Sequence, residues 1–222
     1  MLNAAHPDSF AKQRVRMVEE QLRSRGIRDP RLLAAMAKVP REEFIASEDV
    51  SRAYDDHPLP IGAGQTVSQP YMVAAMVAAL QPRPADRVLE VGAGTGYEAA
   101  ILAELAAEVW TIERHQELAD KAQEILSRLG YRNVHVVVGD GSVGLAEQAP
   151  FDGILVAAAA PKISDRLLAQ LADGGRMAVP VGNRFEQQLQ LVRKIGADIA
   201  VSSLDACRFV PLVGKEGWED GR

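Results

Sequence analysis

The chain is poor in the features that staple, export or anchor a protein. It carries one cysteine in 222 residues, Cys207. Neither an internal disulfide nor a multi-cysteine zinc site can form from one thiol. A reducing, cytoplasmic compartment fits that usage. Residues Met1 to Asp8 show no basic start followed by an apolar core, so no signal peptide is expected. The longest apolar runs, such as Ile154 to Pro161, fall far short of the ~20 residues a membrane span needs. Positive charge is also scarce. Basic residues number 25 against 30 acidic ones, for a net charge of −5. That is a weak basis for neutralising phosphates, so nucleic acid is not an expected partner. His6, His57, His115 and His135 are scattered, and no metal site is expected.

What is present is ordinary globular usage, 47% hydrophobic and 25% charged, in a chain long enough to bury about 70% of its surface. Val15, Val18 and Leu22 recur at helical spacing, and Gly26 follows as a stop. Asp29-Pro30 starts a second helix, with Leu32, Leu33, Met36 and Val39 as its stripe. Residues 45–70 look irregular, which in a compact domain suits a binding loop. Met72, Val73, Met76, Val77 and Leu80 mark a further helix.

From residue 86 the pattern alternates. Strands are expected at Arg87–Val91, Glu108–Ile112, Val134–Val138, Phe151–Val156 and Arg176–Val179. Helices are expected from Tyr97 to Ala107, along Leu118 to Leu129, and around Leu167–Leu171 up to Gly174-Gly175. Leu189–Val192 and Ile199–Val201 read as a late antiparallel hairpin. Repeated β-α units imply an α/β fold with a Rossmann-like, mostly parallel sheet and an antiparallel edge, preceded by N-terminal helices. Ligands on such sheets sit at the carboxyl ends of the strands.

The strongest motif is Val88-Leu89-Glu90-Val91-Gly92-Ala93-Gly94-Thr95-Gly96-Tyr97, between a strand and a helix. Glycines there leave room for a ligand against the main chain. The dinucleotide fingerprint needs Gly or Ala at its sixth place, where this chain has Tyr97. Glu90 precedes the turn and suits a cationic ligand. Glu113, 21 residues after Gly92, can accept from both ribose hydroxyls. Asp140, in Gly139-Asp140-Gly141, can receive an adenine amino group. Three acids at successive strand ends fit S-adenosylmethionine, the expected cofactor. Each also has a plainer reading: Glu113 as a solvated charge, Asp140 as a turn residue, and Ser68, just before Gln69-Pro70, as a helix N-cap. His57 beside Asp55 and Asp56 reads as a loop histidine, Cys207 as a small buried side chain, and Met72 with Met76 as core.

The loop Leu59-Pro60-Ile61-Gly62-Ala63-Gly64-Gln65-Thr66-Val67-Ser68-Gln69-Pro70 resembles that of the protein-L-isoaspartate (D-aspartate) O-methyltransferases. So do Val88–Tyr97, Ala149–Asp152, Gly174-Gly175-Arg176 with Pro180-Val181-Gly182, and Arg208-Phe209-Val210-Pro211-Leu212. The likeness runs in order from about residue 12 to 218. It implies a class I S-adenosylmethionine-dependent methyltransferase that esterifies the free carboxylate of L-isoaspartyl residues, and of D-aspartyl residues, in damaged proteins. The ester then closes to a succinimide that reopens partly to aspartate. By the same resemblance Ser68 is catalytic. Gln65, Thr66, Glu90, Gly92, Ala93, Gly94, Glu113, Asp140 and Gly141 bind cofactor. Ile61, Gly62, Val210 and Pro211 hold the substrate peptide. One domain is expected, with helices and loop at 1–84, the methyltransferase core at 85–206 and a substrate-binding segment at 207–222. A monomer acting on isoaspartyl proteins and peptides is expected.

The chain departs from the family pattern at Ser142, Ala157 and Val213, where an aromatic, a Thr and a hydroxyl residue are common. Two other readings stand beside the repair enzyme. A methyltransferase for another acceptor leaves the Thr66–Pro70 loop and Arg208–Leu212 unexplained. A non-catalytic binder of isoaspartyl peptides draws on the departures alone.

Overall fold

The structure, a computed structural model, describes residues 7–220. Most of the N-terminal stretch read for a signal peptide, His6, and the chain's last two residues lie outside them. Helix α1, Pro7–Met17, runs into a π-helical turn, Val18–Arg23. The wider turn shifts the helical phase. Met17, Val18 and Leu22 are buried, whereas Val15, expected on the same stripe, is 57% exposed. Helix α2, Pro30–Lys38, starts as expected, with the Arg31 amide donating to the Asp29 carboxylate at 2.8 Å.

The stretch expected to be irregular contains a small antiparallel hairpin, β1 (Leu59–Gly62) and β2 (Gln65–Val67). Helix α3, Pro70–Leu80, follows. Its N-cap is Gln69, without a side-chain cap bond. The N-cap reading of Ser68 is therefore corrected, because the first helical residue is one position further on than a Ser68 cap requires.

The main sheet then builds through β3 (Arg87–Val91), α4 (Tyr97–Ala103), β4 (Glu108–Glu113), α5 (Gln116–Arg128), β5 (Val134–Val138), β6 (Phe151–Val156), α6 (Asp165–Gln170), β7 (Leu171–Gly182), β8 (Gln187–Ile195) and β9 (Asp198–Cys207). The order across the sheet is β5-β4-β3-β6-β7-β8-β9. The first five are parallel, and β8 and β9 add the antiparallel edge.

Two helices stop earlier than expected. After Ala103 the chain turns, and the Ala107 amide bonds to the Asp86 carbonyl to start β4. After Gln170 the sheet captures Leu171, which is extended and pairs with Phe151. Gly174 and Gly175 then fall in an irregular part of β7 rather than at a helix end.

Alternate residues of each strand face opposite layers. Val88, Val109, Leu155 and Ala178 join the core beneath α1 to α5. Leu89, Val91, Ile112, Ile154, Val156 and Met177 pack with Leu167, Leu171 and Leu212. The strand order reverses at β3. The chain runs outward through β4 and β5, then returns to β6 on the other side. The carboxyl ends of β3 and β6 thus frame a crevice, the usual ligand position in such sheets.

Candidate active site

Three recesses meet at that crevice. The cleft at the strand ends is lined by Gly92, Gly94, Glu113 and Gly141, roofed by Ile61, Gln65 and Thr66, and flanked by Val210 and Pro211. A smaller chamber adjoins it, sharing Ile61, Thr66, Gly92, Gly94 and Ala157, and adding Ser68, Ala93, Thr95 and Glu98. A wide groove of about 1100 Å³ opens outward, lined by Thr66, Ser68, Tyr71, Met72, Arg184 and Phe209 among others. Thr66 borders all three recesses. Ser68 borders the chamber and the groove.

The glycine turn has this shape for steric reasons. Gly94 sits at φ +54°, and a Cβ there would lie 2.9 Å from Ile61 Cδ1. A Cβ on Gly141 would lie 2.6 Å from Val91 Cγ1. A side chain on Gly94 would push the roof outward, and one on Gly141 would displace Val91 of the cleft wall.

Glu113 is buried at the end of β4. One carboxylate oxygen accepts the Gly94 amide at 3.0 Å, and the other accepts the His115 amide at 3.0 Å. Each oxygen keeps a lone pair for a ligand hydroxyl. The Ser68 carbonyl accepts from Arg41 Nη2 at 2.7 Å. Arg41 is fully buried, also donates to the Ala53 carbonyl at 2.7 Å, and lies over the Tyr97 ring. This clamp fixes the Ser68 main chain while its side chain faces the recesses.

Val210 and Pro211 are placed by a main-chain ladder. The Ala159 amide donates to the Val210 carbonyl, and the Leu212 amide to the Ala159 carbonyl, both at 2.8 Å.

Three residues expected at the site stand back from it. Glu90 is fully buried behind the turn, where its carboxylate accepts the Thr111 hydroxyl. Gly62 turns towards Glu117. Asp140 lies beside Gly141 on a separate recess with Arg114, Lys215 and Trp218. Its oxygens accept the Ser142 amide at 3.0 Å, the Ser142 hydroxyl at 2.6 Å and the Lys215 amide at 2.9 Å. Burial opposes ionisation of Asp140. The bonds from Lys215 and Ser142 outweigh it and hold the carboxyl below its usual range. Ser142 also accepts the Glu216 amide at 3.0 Å, so this departure from the family pattern ties down the C-terminal segment.

The residue the sequence reading missed is Glu98. It is buried on the first turn of α4, and its Oε1 has no hydrogen-bond partner. Burial first, and then the charge of Glu90, push its carboxyl well above the ordinary value. Glu90 is raised too, by burial and by the charge of Glu113, against the lowering effect of the Thr111 bond.

The polar residues read as background stay so. His57 bonds to Arg52 at 2.6 Å, and Asp56 pairs with Arg25 at 2.5 Å. Cys207 is half-buried, and burial pushes its thiol up to about 11, which keeps it protonated at neutral pH. Met76 is buried core, whereas Met72 reaches the groove wall. Among the described residues no three His, Cys, Asp or Glu side chains gather as metal ligands, and no helix is long and apolar enough to cross a membrane.

A mostly parallel sheet with β8 and β9 at its edge, added N-terminal helices and a cleft at its switch point define a class I methyltransferase fold. The comparisons with known proteins are more particular. The protein-L-isoaspartate(D-aspartate) O-methyltransferase family profile matches residues 12–217, and the chain belongs to that family. It is 58% identical over 221 residues to a protein-L-isoaspartate O-methyltransferase of Koribacter versatilis, covering 99% of this chain and all of the relative. It is 52% identical to protein-L-isoaspartate O-methyltransferase 1 of Syntrophobacter fumaroxidans, over 95% of this chain and 99% of that one. Among solved structures it is similar to a Plasmodium falciparum chain described as a protein-L-isoaspartate O-methyltransferase, in complex with S-adenosyl-L-homocysteine. That match has a TM-score of 0.78 and 26% identity, over 90% of this chain and 98% of the other.

Proposed function

We propose that this chain is a protein repair methyltransferase that esterifies L-isoaspartyl carboxylates, with S-adenosylmethionine as methyl donor. The observation that carries the reading is the position of Ser68. It stands where the outward groove, wide enough for a peptide, meets the chamber that continues into the Gly92–Glu113 cleft.

The donor set fits the cofactor. Glu113 presents two oxygens already oriented by main-chain amides, suited to a ribose diol. Gly94 and Gly141, where a Cβ would clash, leave the cleft lined there by main chain, which suits a nucleoside. Ile61, Gln65 and Thr66 close it from above, and Ala93 lines the adjoining chamber. Gly141 lines the cleft with Asp140 next to it on the neighbouring recess, a position that suits recognition of the adenine edge. When bound, S-adenosylmethionine supplies a sulfonium methyl whose bonding pair stays with sulfur as the methyl passes to a carboxylate oxygen.

The acceptor carboxylate, with a reference pKa of ~3.9, is ionised at neutral pH and needs no general base. The work left to the protein is orientation and partial removal of water. The Ser68 hydroxyl donates one hydrogen bond to the acceptor without adding a charge. Val210 and Pro211 lie along the groove and offer main chain to an extended peptide, which suits acceptance of many sequences. The same reading takes D-aspartyl sites as a second acceptor and isoaspartyl proteins and peptides as partners. It treats residues 1–84, 85–206 and 207–222 as parts of one domain that works as a cytoplasmic monomer without nucleic acid. The single cysteine and the acidic balance support that setting.

Ser68→Ala is expected to lower turnover on an isoaspartyl peptide at least tenfold while the S-adenosylmethionine Kd changes less than twofold. Methyl-ester release and calorimetric binding measure the two. Equal loss of both would reject the acceptor role of the hydroxyl.

A further inference from the structure

We propose that Glu98 binds the α-ammonium of the cofactor's amino-acid end, which makes it a cofactor-binding residue of this site. The inference rests on the cofactor reading above. Glu98 is the one carboxyl lining the chamber beside Ser68. It is more than nine-tenths buried, and its Oε1 has no partner. Glu90, just behind it, also has a buried oxygen without a partner.

Buried carboxyls are ordinarily paired with a cation or kept protonated. Here no cation serves them. The group acting on Glu98 is Glu90 of β3, and Glu90 in turn faces Thr111 and Glu113 of β4. The loop over the chamber contributes the hydroxyls of Thr66 and Ser68. The buried cation at this end, Arg41, gives its bonds to the Ala53 and Ser68 carbonyls and its face to Tyr97. Neither Glu90 nor Glu98 forms an ion pair among the described residues. A buried carboxyl lining a chamber, backed by a second acid and without a counter-charge among the described residues, is a site built for a cationic ligand.

The chamber's position says which cation. It shares Ile61, Thr66, Gly92 and Gly94 with the cleft where Glu113 waits for the ribose. A nucleoside seated on Glu113 and extending past Gly94 brings its amino-acid end to Glu98. The ammonium brings three donors and a positive charge to the unpartnered oxygen. Binding at mildly acidic pH then displaces a proton from the Glu98 carboxyl to the buffer.

The test compares two probes by calorimetry. S-adenosylhomocysteine carries the amino-acid end, and 5′-methylthioadenosine lacks it. In Glu98→Gln, the Kd for S-adenosylhomocysteine is expected to rise about tenfold or more, while that for 5′-methylthioadenosine stays within twofold. Independently of any variant, S-adenosylhomocysteine binding at pH 6 in two buffers of different ionisation enthalpy is expected to show net proton release by the wild type. A variant that loses both probes equally, or neither, overturns the inference, and so does wild-type binding without proton release. Wild type that binds neither probe overturns the cofactor reading as well.

Discussion

The two ends of β3 treat buried charge in opposite ways. Asp86, just before the strand, is buried against Arg176 of β7 at 2.5 Å. It also accepts the Arg83 amide at 2.9 Å, and Arg176 donates to the Gln81 carbonyl at 3.1 Å. Four residues on, Glu90 is equally hidden but sits near Glu98 and Glu113, with no cation. The amino end of the strand pairs its acid with a cation, although Arg176 Nε keeps no partner, and ties the sheet to the end of α3. The carboxyl end is left electrostatically incomplete. In one short strand, stability and function are separated by which end of the sheet a carboxyl occupies.

The comparison breaks most visibly at the paired end. Asp86→Ala leaves Arg176 buried and unpaired, and is expected to cost about 3–5 kcal/mol of stability. Changing Asp86 and Arg176 together to apolar residues is expected to cost less, because no charge is then left alone. Urea unfolding of the single and double variants checks both. At the open end the loss falls on the ligand. Glu113→Ala removes charge-assisted hydrogen bonds of about 1.5–3 kcal/mol, which is about a 10- to 150-fold rise in the S-adenosylmethionine Kd. An unchanged Kd in calorimetry would count against the ribose role.

The smallest effect is a pH slope. Burial, joined by the charge of Glu90 for Glu98 and of Glu113 for Glu90, raises the folded-state values of both carboxyls above those of the unfolded chain. The folded state therefore holds more protons, so stability is full below the ordinary carboxyl range and declines as pH rises towards the raised values. Glu98→Gln removes one such group. Its unfolding free energy, from urea titrations, is expected to match wild type near the ordinary carboxyl range and to exceed it increasingly towards neutral pH, by at most about 1.4 kcal/mol per pH unit. A gap that narrows with rising pH would contradict the unpaired state of this carboxyl.

Much of this layout is legible in the sequence, for reasons the residues make plain. The central parallel strands are buried on both faces, so they appear as short apolar runs ending in Gly or Glu. Helix α2 announces itself through Asp29-Pro30. The β1–β2 hairpin does not, because its strands have four and three residues and carry Pro60 and Gly62. Local propensity also overstates α6, since Leu171 fits a helical stripe but is claimed by its neighbour in the sheet. At the site, Glu113 and the glycine turn follow from their place at strand ends. Glu98 does not follow, because one turn of helix decides whether a carboxyl faces solvent or the chamber. The bonds from Lys215 to Asp140 and from Glu216 to Ser142 join residues 75 and 74 positions apart, which no local pattern records. An acid counted on for the cofactor, Glu90, turned out to stand one layer back, with Glu98 in front.

The central claim is that the open end of the sheet serves methyl transfer to an isoaspartyl carboxylate. Labelled S-adenosylmethionine offered with two synthetic peptides, alike except for isoaspartate or aspartate at one position, tests it most directly. The account predicts base-labile methyl ester on the isoaspartyl peptide alone. Cofactor binding with no transfer to either peptide, or equal transfer to both, would contradict it.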